Sequence, residues 1–438
     1  MTADRERKRQ GTVSRSIPGV GLKGRGPAKG RPIQVTPVVT TFDAAIPDER
    51  IENKSFPIRL LRRALTGVFD LWVRLSTRLT GRLGWHPRVE PYVGYGTEAY
   101  SRLICRTVLA DSNPHTPRAM RGIRALLTVP SPRTRVAIAI DGVPIGTVQM
   151  ADSTSFEAFD SGRNLSSEFA FSDWSGYLDL VAEHDLVPGV HRVTYQVKNR
   201  PPVTAPLYIV SGKARLGVIS DVDDTIMITQ VPSMWKAAYN FLLSNPHTRA
   251  SVPGMSVFYS KIRDLAPQAP FFYLSASPWN VEGSIRGFIE DHGFPPGPLL
   301  LRDLDPRPKT FVPSIVRHKM EFIHQLMADF PDMRFILLGD DGQRDPTTFA
   351  EVARRYPGRV VAIGIRQLSP GESKLGALTE RTSSQPAPVT DVPVFYGTTG
   401  ANLMRTMLPY LAGVLEEEPL PASRRKRGWG RARRGRKG

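Results

Sequence analysis

The period of the hydrophobic pattern changes along the 438-residue chain, and the change separates two kinds of domain. Between residues 90 and 212, short runs of β-branched and aromatic residues are separated by turn residues, and Asp141-Gly142 joins two of them as in a hairpin. The spacing of the runs favours a β-sandwich-like domain of about a hundred residues. The predicted strands are Ser101–Leu109, Arg135–Ile140, Pro144–Gln149, Tyr177–Ala182, Val190–Lys198 and Leu207–Val210.

From residue 213 the pattern becomes an alternation of apolar strands and amphipathic helices. This alternation predicts an α/β fold with a doubly wound parallel sheet and right-handed crossovers over residues 213–366. The predicted strands are Leu216–Ile219, Pro270–Leu274, Arg334–Leu338 and Val360–Ile365. The predicted helices are Asn280–Asp291, His318–Ala328 and Thr347–Arg355.

Three further segments lie outside these two domains. Residues 56–85 place apolar side chains at helical spacing with arginines between them, which predicts a basic amphipathic helix. This helix could lie in a membrane interface or pack on its own domain with solvated arginines. Residues 367–395 are rich in Ser, Pro and Thr and are predicted to be a linker. Residues 396–415 are predicted to form one more helix.

The net charge of +18 is concentrated at the two ends of the chain. Residues 1–33 contain nine Lys/Arg and two acids, and residues 424–438 contain nine Lys/Arg and no acid. Residues 1–50 are therefore predicted to be a disordered basic arm and residues 424–438 a basic tail, beside a nearly neutral body. Such arms bind anionic membranes or nucleic acids, or serve only as solubilising extensions. Residues 1–33 and 424–438 contain one aromatic residue, Trp429, that could stack on a base. This scarcity of aromatic residues disfavours binding of single-stranded nucleic acid.

Cysteine usage and the absence of long apolar runs indicate the compartment. A single cysteine, Cys105, excludes an intramolecular disulfide and fits a reducing environment. No apolar region follows the basic N-terminus as in a secretory signal, and no run approaches the roughly 20 residues of a membrane span. We therefore expect a cytoplasmic protein, associated peripherally with the inner face of the membrane. The isolated His184 and His191 are expected to be structural rather than metal ligands.

The densest chemical signal is the segment Leu216 to Met227, LGVISDVDDTIM. An apolar strand ends there in Asp221 and Asp223, and Thr225 follows two residues later. This D-x-D-x-T arrangement is what phosphoryl transfer through an aspartyl-phosphate requires, because one carboxylate attacks phosphorus and the other handles the proton of the leaving group. A plain loop or a helix cap is the alternative interpretation.

Three further features stand at predicted strand ends or helix starts. Ser275 ends the strand PFFYL, Lys319 begins a helix, and Asp340, Asp341 and Asp345 follow the strand RFILL. A dianionic phosphomonoester repels an attacking carboxylate, so this chemistry needs a Mg²⁺ ion held by oxygen ligands, together with a lysine and a hydroxyl on the phosphoryl oxygens. The order of the four motifs, more than any one of them, is specific.

This order resembles the haloacid dehalogenase superfamily of phosphatases. The segments VISDVDDTI, YLSASPWN, GPLLLRD, HKMEFI and LLGDDGQRDP resemble, more narrowly, the catalytic domain of the actin-patch-protein family of phosphatidate phosphatases, relatives of the lipins. The resemblance covers residues 213–366, and the preceding β-rich domain ending in PLYIVSG also fits bacterial members. It implies a haloacid dehalogenase-like sheet and Mg²⁺-dependent hydrolysis of phosphatidate to diacylglycerol and phosphate.

The resemblance also implies a role for each catalytic residue. Asp221 would be the nucleophile. Asp223 would protonate the leaving alcohol and then activate the water that hydrolyses the aspartyl-phosphate. Ser275 and Lys319 would hold the phosphoryl group, and Thr225 would support the loop.

A metal site follows from the same resemblance. The Mg²⁺ ion would be bound by Asp221, by the backbone carbonyl of Asp223 and by Asp340. Asp341 and Asp345 would orient the waters of the metal or the lysine.

Residues beside the motifs leave two interpretations each. Trp279 could line the entrance or pack in the core, and Asn280 could line the entrance or cap the next helix. Arg302 and Asp303 could contact a headgroup or form a structural ion pair.

The insertion between the first two motifs bears on the substrate. Residues 226–270 are too few for a large lid domain, and a shallow cover favours a phosphate carried on something large, such as phosphatidate in an anionic membrane. Other phosphates remain open, namely phosphatidylglycerol phosphate, a phosphoprotein or a nucleic-acid end. A non-catalytic membrane-associated adaptor is the alternative from another class, although Asp221 and Asp223 are intact.

Overall fold

The computed structural model describes most of the two predicted regions. Of the 1–50 arm it describes Gln34–Pro37, which form a strand, so the prediction of disorder is wrong at these residues. The described parts are residues 34–37, 71, 75–76, 78–80, 82, 85–110, 129–131, 134–149, 177–228, 249–302, 315–342, 344–368 and 390–417. The basic tail, most of the 1–50 arm, most of the 367–395 linker and part of the 56–85 segment are therefore not described. Within 56–85, the described residues of 71–82 are helical.

The N-terminal region is a β-rich domain, as the alternating pattern predicts. Its strands join along one hydrogen-bonded path, β1-β8-β4-β3-β10-β9-β6-β7, with β2 and β5 paired to β4. The pairs are antiparallel except for β3 with β10. The strands are β1 Gln34–Pro37, β2 His86–Pro91, β3 Gly94–Gly96, β4 Tyr100–Ala110, β5 Val129–Pro130, β6 Arg135–Ile140, β7 Val143–Gln149, β8 Tyr177–Glu183, β9 Gly189–Val197 and β10 Val203–Ile209.

A sandwich would place its strands in two separate sheets, and the described ladders instead form one continuous mixed sheet of ten strands. All six predicted strands are present, and β6 has the predicted bounds. The Asp141-Gly142 hairpin is confirmed, with both residues at positive φ. The inward side chains of the sheet form one apolar core around Leu103, Leu180 and Leu207.

The second region is a six-stranded parallel sheet in the order β13-β12-β11-β14-β15-β16. Its strands are β11 Leu216–Asp221, β12 Phe271–Pro278, β13 Leu299–Arg302, β14 Arg334–Asp340, β15 Val360–Arg366 and β16 Val394–Gly397. Its helices are α1 Met255–Leu265, α2 Glu282–Asp291, α3 Ile315–Asp329, α4 Asp345–Arg355 and α5 Gly400–Glu417.

The helices cover both faces of the parallel sheet, which confirms the doubly wound prediction. Alternate residues of one strand enter different cores: Val218 packs in a cluster with α1, α2 and α5, whereas Ile219 packs in a cluster with α3 and α4. Both faces of the central strands are therefore buried, which explains why these strands are continuously apolar.

Four elements of this region, two strands and two helices, differ from the sequence prediction. Strand β16 begins at Val394, inside the predicted linker, and pairs with β15. The last helix accordingly begins at Gly400 rather than Tyr396, because Tyr396 belongs to β16. Strand β13 and helix α1 were not predicted. The parallel sheet thus continues past residue 366, where the predicted domain ends.

The two regions are joined by a buried polar contact on α3. The carboxylate of Asp329 accepts hydrogen bonds from Tyr100 Oη at 2.8 Å, Tyr95 Oη at 3.0 Å and Arg102 Nε at 3.3 Å. A second contact stacks the ring of Tyr92 on that of Trp279, with centroids 4.8 Å apart. The β-rich domain therefore rests against the helix that carries Lys319 and against the end of the strand that carries Ser275.

Candidate functional site

The sequence-predicted site residues converge at the carboxyl edge of the parallel sheet. Asp221 is the last residue of β11, and Asp340 is the last residue of the neighbouring β14. Ser275 lies in β12, on the other side of β11. Lys319 lies in the second turn of α3, and Asp345 is the first residue of α4. Since β11 is flanked by β12 and β14, the strand order itself brings the motifs together.

Lys319 is the charged centre of the cluster. Its Nζ lies 2.7 Å from Asp221 Oδ1 and 2.5 Å from Asp345 Oδ1, and all three side chains are buried. The contact with Asp345 is a hydrogen bond, whereas Asp221 Oδ1 is close enough for an ion pair but lies outside hydrogen-bonding geometry. Thr225 Oγ1 donates to the other Asp221 oxygen at 3.3 Å. Thr225 therefore holds the expected nucleophile from the loop side.

Asp223 has a different environment from Asp221. Its residue is only partly buried, and its Oδ2 accepts hydrogen bonds from Ser275 Oγ at 2.7 Å and Ser277 Oγ at 3.5 Å. Ser275 Oγ in turn accepts the backbone N–H of Ser277 at 2.9 Å. The two carboxylates of the D-x-D pair thus have different partners: Asp221 is buried against a lysine, and Asp223 is hydrogen-bonded to a serine pair.

Asp340 and Asp345 complete the buried acids. Asp340 Oδ1 accepts the backbone N–H of Gly342 at 2.5 Å, and Asp345 Oδ2 accepts the backbone N–H of Asp340 at 3.2 Å. Gly339 makes this approach possible, because a Cβ on that residue would lie 2.4 Å from Asp345 Oδ2. A larger residue at this position would displace the Asp345 carboxylate.

The pKa values of these groups reflect an excess of buried negative charge. Burial raises the pKa of Asp221 well above its usual range; Lys319 opposes the shift, and the charges of Asp345 and Asp223 add to it. Burial likewise raises the pKa of Asp340, and the charges of Asp345 and Asp221 raise it further. Burial acts to lower the pKa of Lys319, but the neighbouring carboxylates outweigh it and raise the value. The lysine is therefore held as a cation.

The arrangement of the acids fits a divalent metal ion. One oxygen each of Asp221, Asp340 and Asp345 lies within 4.8 Å of the other two. No described residue hydrogen-bonds Asp340 Oδ2, although this atom is buried. An all-oxygen set of carboxylates suits Mg²⁺ or a similar hard cation rather than zinc. This group of three carboxylates includes Asp345, to which the resemblance assigns a supporting role and not that of a metal ligand.

A further group was missed by the sequence analysis. Arg366 ends β15, is buried, and donates from Nη1 to the backbone carbonyl of Asp224 at 2.8 Å. Asp224 itself has a positive φ of 58°. Arg366 therefore fixes the turn that follows the D-x-D pair. The sequence contains a signal for Arg366, because a charged residue directly follows the apolar run VVAIGI, just as the acids follow the apolar runs of β11 and β14.

Several predicted neighbours lie apart from the cluster. Asp341 is exposed, and its Oδ1 accepts the backbone N–H of Leu368 at 2.9 Å. Trp279 is buried in the core and not at an entrance. The N-cap of α2 is Val281, so the interpretation of Asn280 as the cap of that helix is wrong. Asp303 lies outside the described residues, as does the side chain of Arg302.

His184 and His191, which the sequence analysis expects to be structural, each contact a polar side chain. His184 Nε2 contacts Ser101 Oγ, and His191 Nδ1 lies 2.6 Å from Asp141 Oδ2. Neither belongs to a group of metal-ligating side chains in the part of the chain that the structure describes.

Comparison with known proteins places the same segment in a family. Residues 216–367 match the model of "Phosphatidate phosphatase APP1, catalytic domain". The chain is 29% identical over 228 residues to Phosphatidate phosphatase APP1 of Saccharomyces cerevisiae, covering 51% of this chain and 38% of the yeast protein. It is 24% identical over 154 residues to an uncharacterized protein of Schizosaccharomyces pombe, covering 35% of this chain and 25% of that protein. The resemblance recognised in the motifs is thus confirmed for the catalytic segment.

Among solved structures, a class C acid phosphatase from Bacillus anthracis with tungstate bound is similar at 16% identity, covering 34% of this chain and 65% of that chain. Its TM-score is 0.21, too low for the likeness to inform the fold or the function. The chain spans about two fifths of the length of the yeast relative and a quarter of the length of the fission-yeast relative.

Proposed function

We propose that this chain is a Mg²⁺-dependent phosphatidate phosphatase that releases diacylglycerol and phosphate through an aspartyl-phosphate on Asp221. The observation that carries the proposal is the cluster at the sheet edge: a buried carboxylate, Asp221, pairs with Lys319, and a second carboxylate, Asp223, accepts a hydrogen bond from Ser275. The match of residues 216–367 to a phosphatidate phosphatase catalytic domain supports the choice of substrate.

The first step forms one bond and breaks one. An oxygen of Asp221 attacks phosphorus, and the bond between phosphorus and the ester oxygen breaks. The leaving oxygen takes a proton from Asp223, the less buried of the two carboxyls in the D-x-D pair. Burial raises the pKa of Asp223, partly opposed by the Ser275 hydrogen bond, and so favours the protonated form that this step needs.

The second step restores the enzyme. Asp223, now ionised, removes a proton from water; the water oxygen attacks phosphorus, and the bond between phosphorus and Asp221 breaks. Lys319 stays charged throughout and stabilises the negative charge on the phosphoryl oxygens. Thr225 and Arg366 keep the loop in register during both steps.

A metal ion would be held by Asp221, Asp340 and Asp345, together with the backbone carbonyl of Asp223 that the family resemblance implies. When bound, it supplies Lewis-acid stabilisation of phosphoryl charge and offsets the repulsion among the carboxylates.

The proposal also includes a site of action, the inner surface of an anionic membrane. Leu71, Leu75 and Leu79 recur at i, i+4 and i+8 of one helical segment, and each side chain is more than half exposed. Arg78 and Arg82 are exposed beside them, whereas Thr80 is buried. An exposed leucine stripe with flanking cations suits an interface of acyl chains and anionic headgroups. Among the described helices, none combines the length and apolarity needed to cross a bilayer.

The activity is tested by phosphate release from phosphatidate in mixed micelles, with Mg²⁺ and with EDTA, beside soluble sugar phosphates, nucleotides and phosphatidylglycerol phosphate. Mg²⁺-dependent release from phosphatidate in clear preference to the others supports the proposal. Release only from another phosphate would keep the mechanism and reject the substrate, and no release from any of them would favour the adaptor.

The membrane site is tested by a triple variant in which Leu71, Leu75 and Leu79 are each replaced by Gln. Binding to vesicles containing phosphatidate should fall by about tenfold or more, while hydrolysis of a soluble phosphate ester is retained. The matched control replaces Val187 and Val190, which are equally exposed in the β-rich domain, and should leave binding unchanged. Equal vesicle binding by the leucine variant would reject the stripe as the anchor.

A further inference from the structure

The segment between the first two motifs returns to the site at residues 249–252. Met227 and Ser251 form an antiparallel bridge, and two backbone hydrogen bonds extend it, from Ile228 N to Ala250 O and from Val252 N to Ile226 O, both at 3.0 Å. This short ladder joins the returning chain to the loop that carries Asp223. Arg249 stands at its end.

The guanidinium of Arg249 is directed onto that loop. Its Nη1 lies 3.4 Å from Met227 Sδ, and the side chain is partly buried. Met227 is bridged to Asp223, and its carbonyl accepts the N–H of Asp224 at 2.8 Å. A thioether is a weak acceptor, so this contact serves mainly to position the guanidinium beside the loop.

Arg249 and Asp223 act on each other electrostatically. Burial lowers the pKa of Arg249 to about 10, and the charge of Asp223 opposes this shift, so the arginine remains a cation at neutral pH. The charge of Arg249 in turn acts on the Asp223 carboxyl. Because Met227 is bridged to Asp223, the contact with Met227 places the guanidinium beside the Asp223 end of the loop.

The charge balance of the site leaves room for such a cation. The carboxylates in or beside the site are Asp221, Asp223, Asp224, Asp340 and Asp345, and the buried cations are Lys319 and Arg366. With Asp223 protonated, as the first step needs, the other four acids exceed these cations by two charges. A divalent ion offsets these two charges, and a phosphomonoester then adds up to two more negative charges. Lys319 is already shared between two carboxylates.

We propose that Arg249 is a substrate-binding residue whose guanidinium donates hydrogen bonds to the non-bridging phosphoryl oxygens of a phosphomonoester on the Asp223 side of the site. A planar guanidinium suits this task, because two parallel N–H groups match two phosphoryl oxygens. The identity of the ligand as a phosphomonoester rests on the proposed function. In this role Arg249, a residue of the 226–270 segment, contacts the phosphate. The length of this segment alone predicts only a shallow cover over the site.

The test uses inorganic phosphate as the probe, with the full chain in the presence of Mg²⁺. Phosphate affinity is measured by calorimetry and by competitive inhibition of a soluble phosphate ester. Arg249→Gln should weaken phosphate binding about 10- to 100-fold and raise KM for the ester in parallel, with a smaller effect on kcat. Arg249→Lys should recover part of the affinity, because it keeps the charge but not the planar fork.

The matched control is Arg359→Gln. Arg359 is also partly buried and donates to three backbone carbonyls, but it precedes β15 at the opposite edge of the sheet. This variant is expected to lose stability and to bind phosphate as the wild type does.

The outcomes separate this proposal from the proposed function. Unchanged phosphate affinity in Arg249→Gln would overturn the role of Arg249, whatever the wild type hydrolyses. If the wild type binds phosphate but does not hydrolyse phosphatidate, a loss of phosphate binding in the variant still supports it. If Arg249→Gln does not fold, Arg249→Lys decides, and phosphate affinity equal to that of the wild type would overturn it.

Discussion

In the β-rich sheet, the buried side chains of His184 and Thr107 meet neutral partners, whereas at the carboxyl edge of the parallel sheet buried carboxylates outnumber the cations. His184 is buried against Ser101, and Thr107 donates to the carbonyl of Ser131 at 2.9 Å. At the other site, Asp221 and Asp340 are buried within reach of further acids. Buried like charges oppose folding, so an uncompensated cluster indicates a place where a ligand supplies the balance.

The largest expected effect follows from replacing the nucleophile in this cluster. Asp221→Asn removes the oxygen that bonds to phosphorus and should lower kcat by about 10⁴- to 10⁶-fold. The fold should persist, because the variant removes one buried charge from an over-charged site. Steady-state phosphate release and thermal unfolding check both statements. Turnover near the wild-type rate would mean that another group is attacked.

The contact between the two regions tests whether the β-rich sheet stabilises the catalytic one. Asp329→Ala leaves Tyr100 and Arg102 without this buried acceptor and should lower the free energy of unfolding by about 3 kcal/mol. The control is Asp332→Ala, three residues further on, whose exposed ion pair with Arg215 should contribute less than about 1 kcal/mol. If urea unfolding shows the same loss of unfolding free energy in both variants, the Asp329 contact contributes no more than the exposed ion pair.

Metal binding should stabilise the over-charged edge selectively. A ligand at 100 times its Kd stabilises the folded state by about 2.7 kcal/mol, so saturating Mg²⁺ should raise the unfolding temperature by several degrees. Asp340→Asn, which removes one of the three clustered carboxylates, should abolish most of this rise. Calorimetric scans with Mg²⁺ and with EDTA measure it. The same rise in both proteins would place the metal elsewhere.

The neutral partners of the β-rich sheet predict a smaller, pH-dependent effect. Burial lowers the pKa of His184 to about 4, so between this value and about 6.5 the unfolded chain binds the proton more readily than the folded chain. Stability should therefore fall as the pH drops from 7 to 5, by about 1 to 2 kcal/mol from this residue. His184→Gln should reduce that fall in urea unfolding. An identical pH dependence in the variant would contradict the assignment.

The comparison also explains how much of the molecule the sequence predicts. Strands with clear alternation, such as Arg135–Ile140, were predicted to the residue. Strand β2 was not, because Pro87 and Pro91 weaken a strand signal, and β16 was not, because it emerges from a Ser- and Pro-rich stretch. Helix α1 has the helical spacing of Met255, Phe258 and Ile262, so its omission was avoidable.

The candidate site was predicted mostly from residues next to strand ends, although Arg366, which ends β15, was overlooked; Arg249, which arrives from a distance, was missed. Asp221, Ser275 and Asp340 each follow an apolar run, and the parallel order brings their strands side by side. Arg249 is 26 residues from Asp223 in the chain, and no local pattern marks it. Its place beside the loop depends on a backbone ladder that only the folded structure reveals.

The central claim is that Asp221 carries the phosphoryl group during turnover. The most direct measurement is rapid acid quench of the enzyme with phosphatidate labelled on phosphorus, followed by mapping of the labelled peptide. The account predicts a transient, base-labile label on the peptide containing Asp221, absent from Asp221→Asn. Phosphate release at the wild-type rate with no labelled protein, or label on another residue, would contradict it.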